Sequence, residues 1–61
     1  MSIQDGDVRL VQLALKKAGF AIEIDRIYGI DTEKAVRQFQ KNKGLDVDGR
    51  VGPQTRAALG L

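Results

Sequence analysis

Apolar positions recur at helical spacing in three stretches of the chain. After Asp5-Gly6-Asp7, the residues Val8, Val11, Ala14, Leu15 and Ala18 fall on one face. Asp7 or Asp5 is a natural N-cap, and Gly19 is the C′ stop. With Gly19 at C′, Phe20 is C″ and Leu15 is C3, the pair that touches in a Schellman ending. The spacing therefore predicts a first helix over about 7–18. A second helix is predicted from Ile30 to Lys43, with Thr32, Ala35, Val36 and Phe39 on one face. Gly44 closes it, and Leu45 reaches back to Phe39. A third, short helix runs from Pro53 to about Leu59, with Pro at N1, Gly52 as N-cap and Gly60 as its end. The loops between them are rich in Asp and Gly, and only Ala21–Ile24 is ambiguous between strand and coil. The expected fold class is all-α.

Two leucines fall off the first apolar face. At about 100° per residue from Val8 the face spans about 240° to 360°, whereas Leu13 lies near 140° and Leu10 near 200°. Partly exposed leucines are common on small domains. The sharper alternative is a contact with another domain or a second copy.

The chain also repeats itself. Residues 25–36 align without gaps to residues 48–59, an offset of 23, giving D-x-x-[YV]-G-x-x-T-x-x-A-[VL]. Each part has a physical role. Asp25 and Asp48 can accept hydrogen bonds from N–H groups of their own turns. The apolar residue before Gly, Tyr28 or Val51, turns inward, and the Gly lets the chain enter a helix. Thr32 and Thr55 lie in the first helical turn, where a hydroxyl can satisfy an orphan backbone group. Ala35 and Ala58 allow close approach of another helix. Two copies are too few for a solenoid, which needs about three or more. Closed by the first helix, they make a compact three-helix bundle with a pseudo-repeated turn-plus-helix unit.

Composition then narrows the chemistry. The 61 residues hold ten Lys and Arg against eight Asp and Glu, a net charge of +2, and form a single domain over 1–61 with its core at about 7–60. At roughly 0.1 kcal/mol per residue the fold is worth about 6 kcal/mol, little reserve for a strained catalytic site. There is no Cys and no His, and one Ser, at position 2. Cys–His and Ser–His nucleophiles, Cys/His zinc sites and disulfides are excluded. No apolar run is long enough to span a membrane, and Met1-Ser2-Ile3-Gln4-Asp5 does not read as a signal peptide.

Three further chemistries fail on spacing. Asp25 and Asp48 as a glycosidase pair conflicts with their equivalence in two copies of one turn, which points to a structural role. Asp46-Val47-Asp48-Gly49 places its Gly one ligand too early for a calcium loop, and no Glu follows. The nine residues from Gly44 to Gly52 are too long for the turn of a helix-turn-helix. A charge of +2 implies no nucleic-acid partner. The chain is therefore expected to carry no catalytic residue, no metal and no cofactor.

The ordered set of motifs resembles the peptidoglycan-binding domain attached to bacterial and phage cell-wall hydrolases. The resemblance rests on Val8-x-x-Val11-Gln12-x-x-Leu15-x-x-x-Gly19-Phe20 and Asp25-x-x-Tyr28-Gly29-x-x-Thr32-x-x-Ala35-Val36-x-x-Phe39-Gln40. It continues through Gly44-Leu45-x-Val47-Asp48-Gly49-x-Val51-Gly52-Pro53-x-Thr55-x-x-Ala58-Leu59, so it covers about residues 7–60. It implies a non-catalytic three-helix module, acting at the bacterial cell envelope, that targets a linked hydrolase such as an endolysin or autolysin to peptidoglycan. The alternative is a protein–protein or propeptide-like domain of the same fold, using Leu10 and Leu13. One departure stands out. Such domains carry Asp-Gly in both turns, but the first turn here is Asp25-Arg26. If that turn needs φ > 0 after the Asp, Arg costs about 1 kcal/mol there.

With only Phe20, Tyr28 and Phe39 as aromatics, no stacking platform for sugars is available. The expected peptidoglycan-binding residues are Asp25, Arg26, Tyr28, Asp48, Gly49 and Arg50, in a groove near the two turns that grips by hydrogen bonds and charge. Arg26 and Arg50 are the candidate partners for stem-peptide carboxylates. Exposed turn cations without a ligand are the alternative reading of those two. The module is expected to be a monomer.

Overall fold

In the computed structural model, which describes residues 5–61 and side chains from Val8 onward, three helices follow in order: α1 (Asp5–Lys17), α2 (Ile30–Asn42) and α3 (Pro53–Leu59). There is no strand among the described residues, and Ala21–Ile24 is irregular. Helix α1 starts earlier than the periodicity predicts, so Asp7 lies inside it. The cap expected of Asp5 or Asp7, and the reading of residues 1–5 as other than a signal peptide, lie outside the described side chains and residues.

All three helices end as Schellman motifs. Phe20 N donates to Leu15 O (3.1 Å) and Gly19 N to Lys16 O (3.0 Å), the two reverse bonds that satisfy the last carbonyls of α1. The same pair recurs as Leu45 N to Gln40 O with Gly44 N to Lys41 O, and as Leu61 N to Arg56 O with Gly60 N to Ala57 O. The motif needs a left-handed residue, and Gly19, Gly44 and Gly60 supply φ of 102°, 71° and 81°.

The N-termini of α2 and α3 are also alike. Gly29 (φ −95°, ψ −166°) and Gly52 (φ −87°, ψ −172°) enter their helices extended, neither with a side-chain cap. Helix α1 packs against both α2 and α3. The shared core is Val11, Leu15, Ala35, Val36, Phe39 and Val51, with Phe20, Tyr28 and Leu45 packed around it. Ala35 is buried as the repeat predicts, whereas its equivalent Ala58 is exposed. The short α3 thus uses Thr55 rather than its alanine as its most buried contact.

Candidate turn site pinned by two buried glutamines

Two polar side chains sit at the centre of this apolar interior. Gln12 is fully buried and Gln40 is 1% exposed. Each falls in a helical stripe of buried residues: Gln12 among Val8, Val11 and Leu15, Gln40 beside Val36 and Phe39. A buried primary amide is costly unless both its ends are satisfied. Both are.

The two N–H groups of Gln12 Nε2 are shared among three acceptors, Asp25 Oδ1 (3.0 Å), Ile27 O (3.1 Å) and Thr32 Oγ1 (3.1 Å). Its Oε1 accepts from Arg26 N (3.0 Å). The second unit repeats this pattern with one accepted bond more. Gln40 Nε2 donates to Asp48 Oδ1 (3.0 Å), Arg50 O (2.9 Å) and Thr55 Oγ1 (3.0 Å). Its Oε1 accepts from Asp48 N (3.2 Å) and Gly49 N (3.0 Å). The partners fix the amide's orientation, since only the NH₂ end can serve carboxylate and carbonyl oxygens. No buried side-chain nitrogen or oxygen among the described residues lacks a partner.

The two aspartates also close their own turns, Oδ1 accepting from Ile27 N (2.9 Å) in the first and Arg50 N (2.9 Å) in the second. That N–H, then the glutamine amide, holds each carboxyl below its ordinary value of 3.8; the nearby Arg50 charge adds to the effect on Asp48. The threonine hydroxyls serve the glutamines, and that of Thr32 also reaches a backbone group as expected, the loop carbonyl of Ile27 (3.4 Å).

At the position after the Asp, both turns take the same left-handed conformation: Gly49 has φ 73° and Arg26 has φ 64°, the one non-glycine residue with positive φ among those described. The first turn is therefore not built differently to accommodate Arg. It accepts the strain. Gly49 has a second reason to lack a side chain. A Cβ there would lie 3.0 Å from Arg37 Nε and 3.1 Å from Glu33 Cγ, the ion pair on α2.

Tyr28 joins the two turns. Its hydroxyl donates to Gly49 O at 2.6 Å. Burial, then the charges of Glu33 and Asp48, push the phenol up to about 12. The six residues singled out in the sequence thus lie on two adjoining turns, in distinct situations. Asp25 and Asp48 have one carboxylate oxygen engaged, Gly49 is buried, and Tyr28 is half-buried with its hydroxyl engaged. Arg26 and Arg50 are exposed, and neither guanidinium makes a hydrogen bond or ion pair with another described residue. Of the off-face leucines, Leu10 is 44% exposed and Leu13 half-buried.

Gln12 and Gln40 are the residues that sequence reasoning passed over, although both stand in the quoted motif. The available signal was a glutamine inside an apolar stripe, followed by the turn Asp. The spacing hides it, because Gln12 precedes its Asp by 13 residues and Gln40 by eight.

The described residues thus form a three-helix domain whose two Asp turns are each pinned by a buried amide. Comparison with known proteins supplies its class. The family described as "Putative peptidoglycan binding domain" matches residues 4–59, and the chain belongs to that family. It is also 43% identical over 54 residues to a spore cortex-lytic enzyme of Halalkalibacterium halodurans, an alignment covering 87% of this chain and 16% of the relative. The chain thus spans about a sixth of that protein's length. No solved structure matches. No helix among the described residues is long and apolar enough to cross a membrane.

Proposed function

We propose that the chain grips peptidoglycan at its two joined turns and thereby holds a linked cell-wall hydrolase on its substrate. One observation carries the reading of the site. Arg26 and Arg50 project from two turns that Tyr28 locks together through Gly49, and neither guanidinium is hydrogen-bonded to another described residue. Arg26 occupies a strained left-handed conformation that a glycine would adopt freely. Exposed guanidinium groups carried on turns of fixed backbone suit the carboxylates of the stem peptide, and bidentate geometry makes Arg the better partner than Lys. Asp25, Asp48, Tyr28 and Gly49 shape the platform, and the free carboxylate oxygens of the two aspartates can take hydroxyl or amide donors. A single shallow site binds weakly. Retention comes from the many repeated sites on the wall and from the effective concentration that tethering gives the linked enzyme.

The test is co-sedimentation with insoluble peptidoglycan sacculi, with cellulose and chitin as control particles. Sacculi alone should deplete the protein from solution, and Arg26→Ala with Arg50→Ala should reduce that depletion about tenfold, the loss of two charge-assisted contacts. Full retention by the double variant would remove the arginines from the site. No depletion at high sacculus load would remove wall binding altogether. In that event the open cavity of about 220 Å³ lined by Leu10, Leu13 and Leu61 becomes the alternative contact, for a protein partner or a second copy. Concentration-dependent association would then be seen.

A further inference from the structure

The two turn units share their buried scaffold and differ in what they expose. Where the second unit has Arg50 and Pro53, the first has Ile27 and Ile30, which are 65% and 69% exposed. Where the second has Gln54, the first has Asp31. These replacements line an open cavity of about 230 Å³ formed by Glu23, Asp25, Ile27, Gly29, Ile30 and Asp31. No cation lines it, although the chain as a whole carries +2. Glu23 and Asp31 make no hydrogen bond or ion pair among the described residues. Neither isoleucine belongs to the core or packs against it, so the core does not account for them. Arg26, exposed on the same turn, is not among the lining residues, so every charged group that lines the cavity is acidic and its exposed apolar groups are aliphatic.

We infer that the cavity of the first unit is a subsite for a primary ammonium carried on an aliphatic arm, the group that the diamino residue of an uncross-linked stem peptide presents. The inference rests on the wall-binding reading and gives it a ligand class: a zwitterionic peptide whose carboxylates address the two turn arginines and whose amine addresses the acidic cavity. The arm lies along Ile27 and Ile30, whose exposed surface it removes from water. The ammonium reaches the carboxylates of Glu23 and Asp31, and the free oxygen of Asp25 is within the same lining. Two exposed carboxylates give modest affinity, which fits a module that works by repetition.

The experiment compares the intact protein on native sacculi with sacculi whose free amines have been capped with acetic anhydride. Capping leaves the stem carboxylates untouched. The expected result is about three- to tenfold weaker depletion on the capped material, the loss of an exposed pair together with its aliphatic contact. Unspecific attraction gives the opposite sign, because capping makes sacculi more anionic and so a better surface for a cationic protein. The variant Glu23→Gln with Asp31→Asn should bind native sacculi as weakly as the parent binds capped ones, and should be indifferent to capping. It too opposes the unspecific effect, since it makes the protein more cationic. Both side chains are exposed, and unchanged circular dichroism will verify the fold. Equal retention of the parent on native and capped sacculi overturns this subsite and leaves wall binding intact. Failure to bind either material overturns both.

Discussion

Replacing Gln40 by Met keeps the volume of a buried side chain nearly constant and removes only its polar atoms. Five hydrogen bonds disappear, three donated by Nε2 and two accepted by Oε1. They are not equal. Asp48 and Arg50 lie at the exposed rim, where water can take over for their lost partners. The N–H of Gly49 and the hydroxyl of Thr55 are buried and lose theirs outright. At about 1–3 kcal/mol for each of the two buried groups left unsatisfied, the substitution should cost about 2–6 kcal/mol. Set against about 6 kcal/mol for a domain of this size, that is a third or more of the total. Urea unfolding followed by far-UV circular dichroism measures it directly through the midpoint. The control is Gln38→Met on the same helix, an exposed amide bonded only to Asn42 (2.9 Å), expected to change stability by no more than about 0.5 kcal/mol. A loss below about 1 kcal/mol for Gln40→Met would refute the reasoning, since it would mean that the turn does not depend on the amide. Gln40→Glu is a sharper variant. The introduced carboxylate faces Asp48 with no N–H to offer, so its pKa rises in the folded state. The variant should regain stability as pH falls below about 6.

Two further outcomes follow from the turns. Arg26→Gly relieves a left-handed strain of about 1–2 kcal/mol and gives back about 0.5–1 kcal/mol of chain entropy. The net gain of about 0.5–1 kcal/mol should appear as a rise in Tm of several degrees, whereas Gly49→Ala should lower it through strain and collision with the Glu33–Arg37 pair. Tyr28 is the single tyrosine, and there is no tryptophan, so tyrosinate absorbance reports this one phenol. Its folded value of about 12 lies above the ordinary 10.0. The neutral phenol therefore stabilises the fold fully below pH 10, and that stability is lost as pH rises from 10 towards 12. An ionisation midpoint at 10 in the native protein would contradict the burial of the phenol beside Glu33 and Asp48.

Much of the fold is legible along the chain because its causes are local. Gly19, Gly44 and Gly60 end their helices through hydrogen bonds spanning at most five residues, and the apolar spacing that orients each helix repeats within two turns. The aspartate turns are equally local, since Asp25 and Asp48 bond N–H groups two residues on. The duplication of the unit, and with it the pairing of Arg26 with the place of Gly49, is visible in a gapless alignment.

Other features depend on contacts the linear order cannot weigh. Gln12 draws its partners from 13 to 20 residues away, and a glutamine reads as a surface residue until the position of every neighbouring acceptor is known. The left-handed backbone of Arg26 is imposed by that same amide, which takes its N–H, against the residue's own preference. The bond from Tyr28 to Gly49 joins turns 21 residues apart, and the cavity at Ile27 and Ile30 exists only because the turn and the start of α2 fold against each other. Where the helices lie and which residues recur can be read along the chain. Which of those residues are buried scaffold and which face solvent follows from the packing, because burial is a property of packed surfaces.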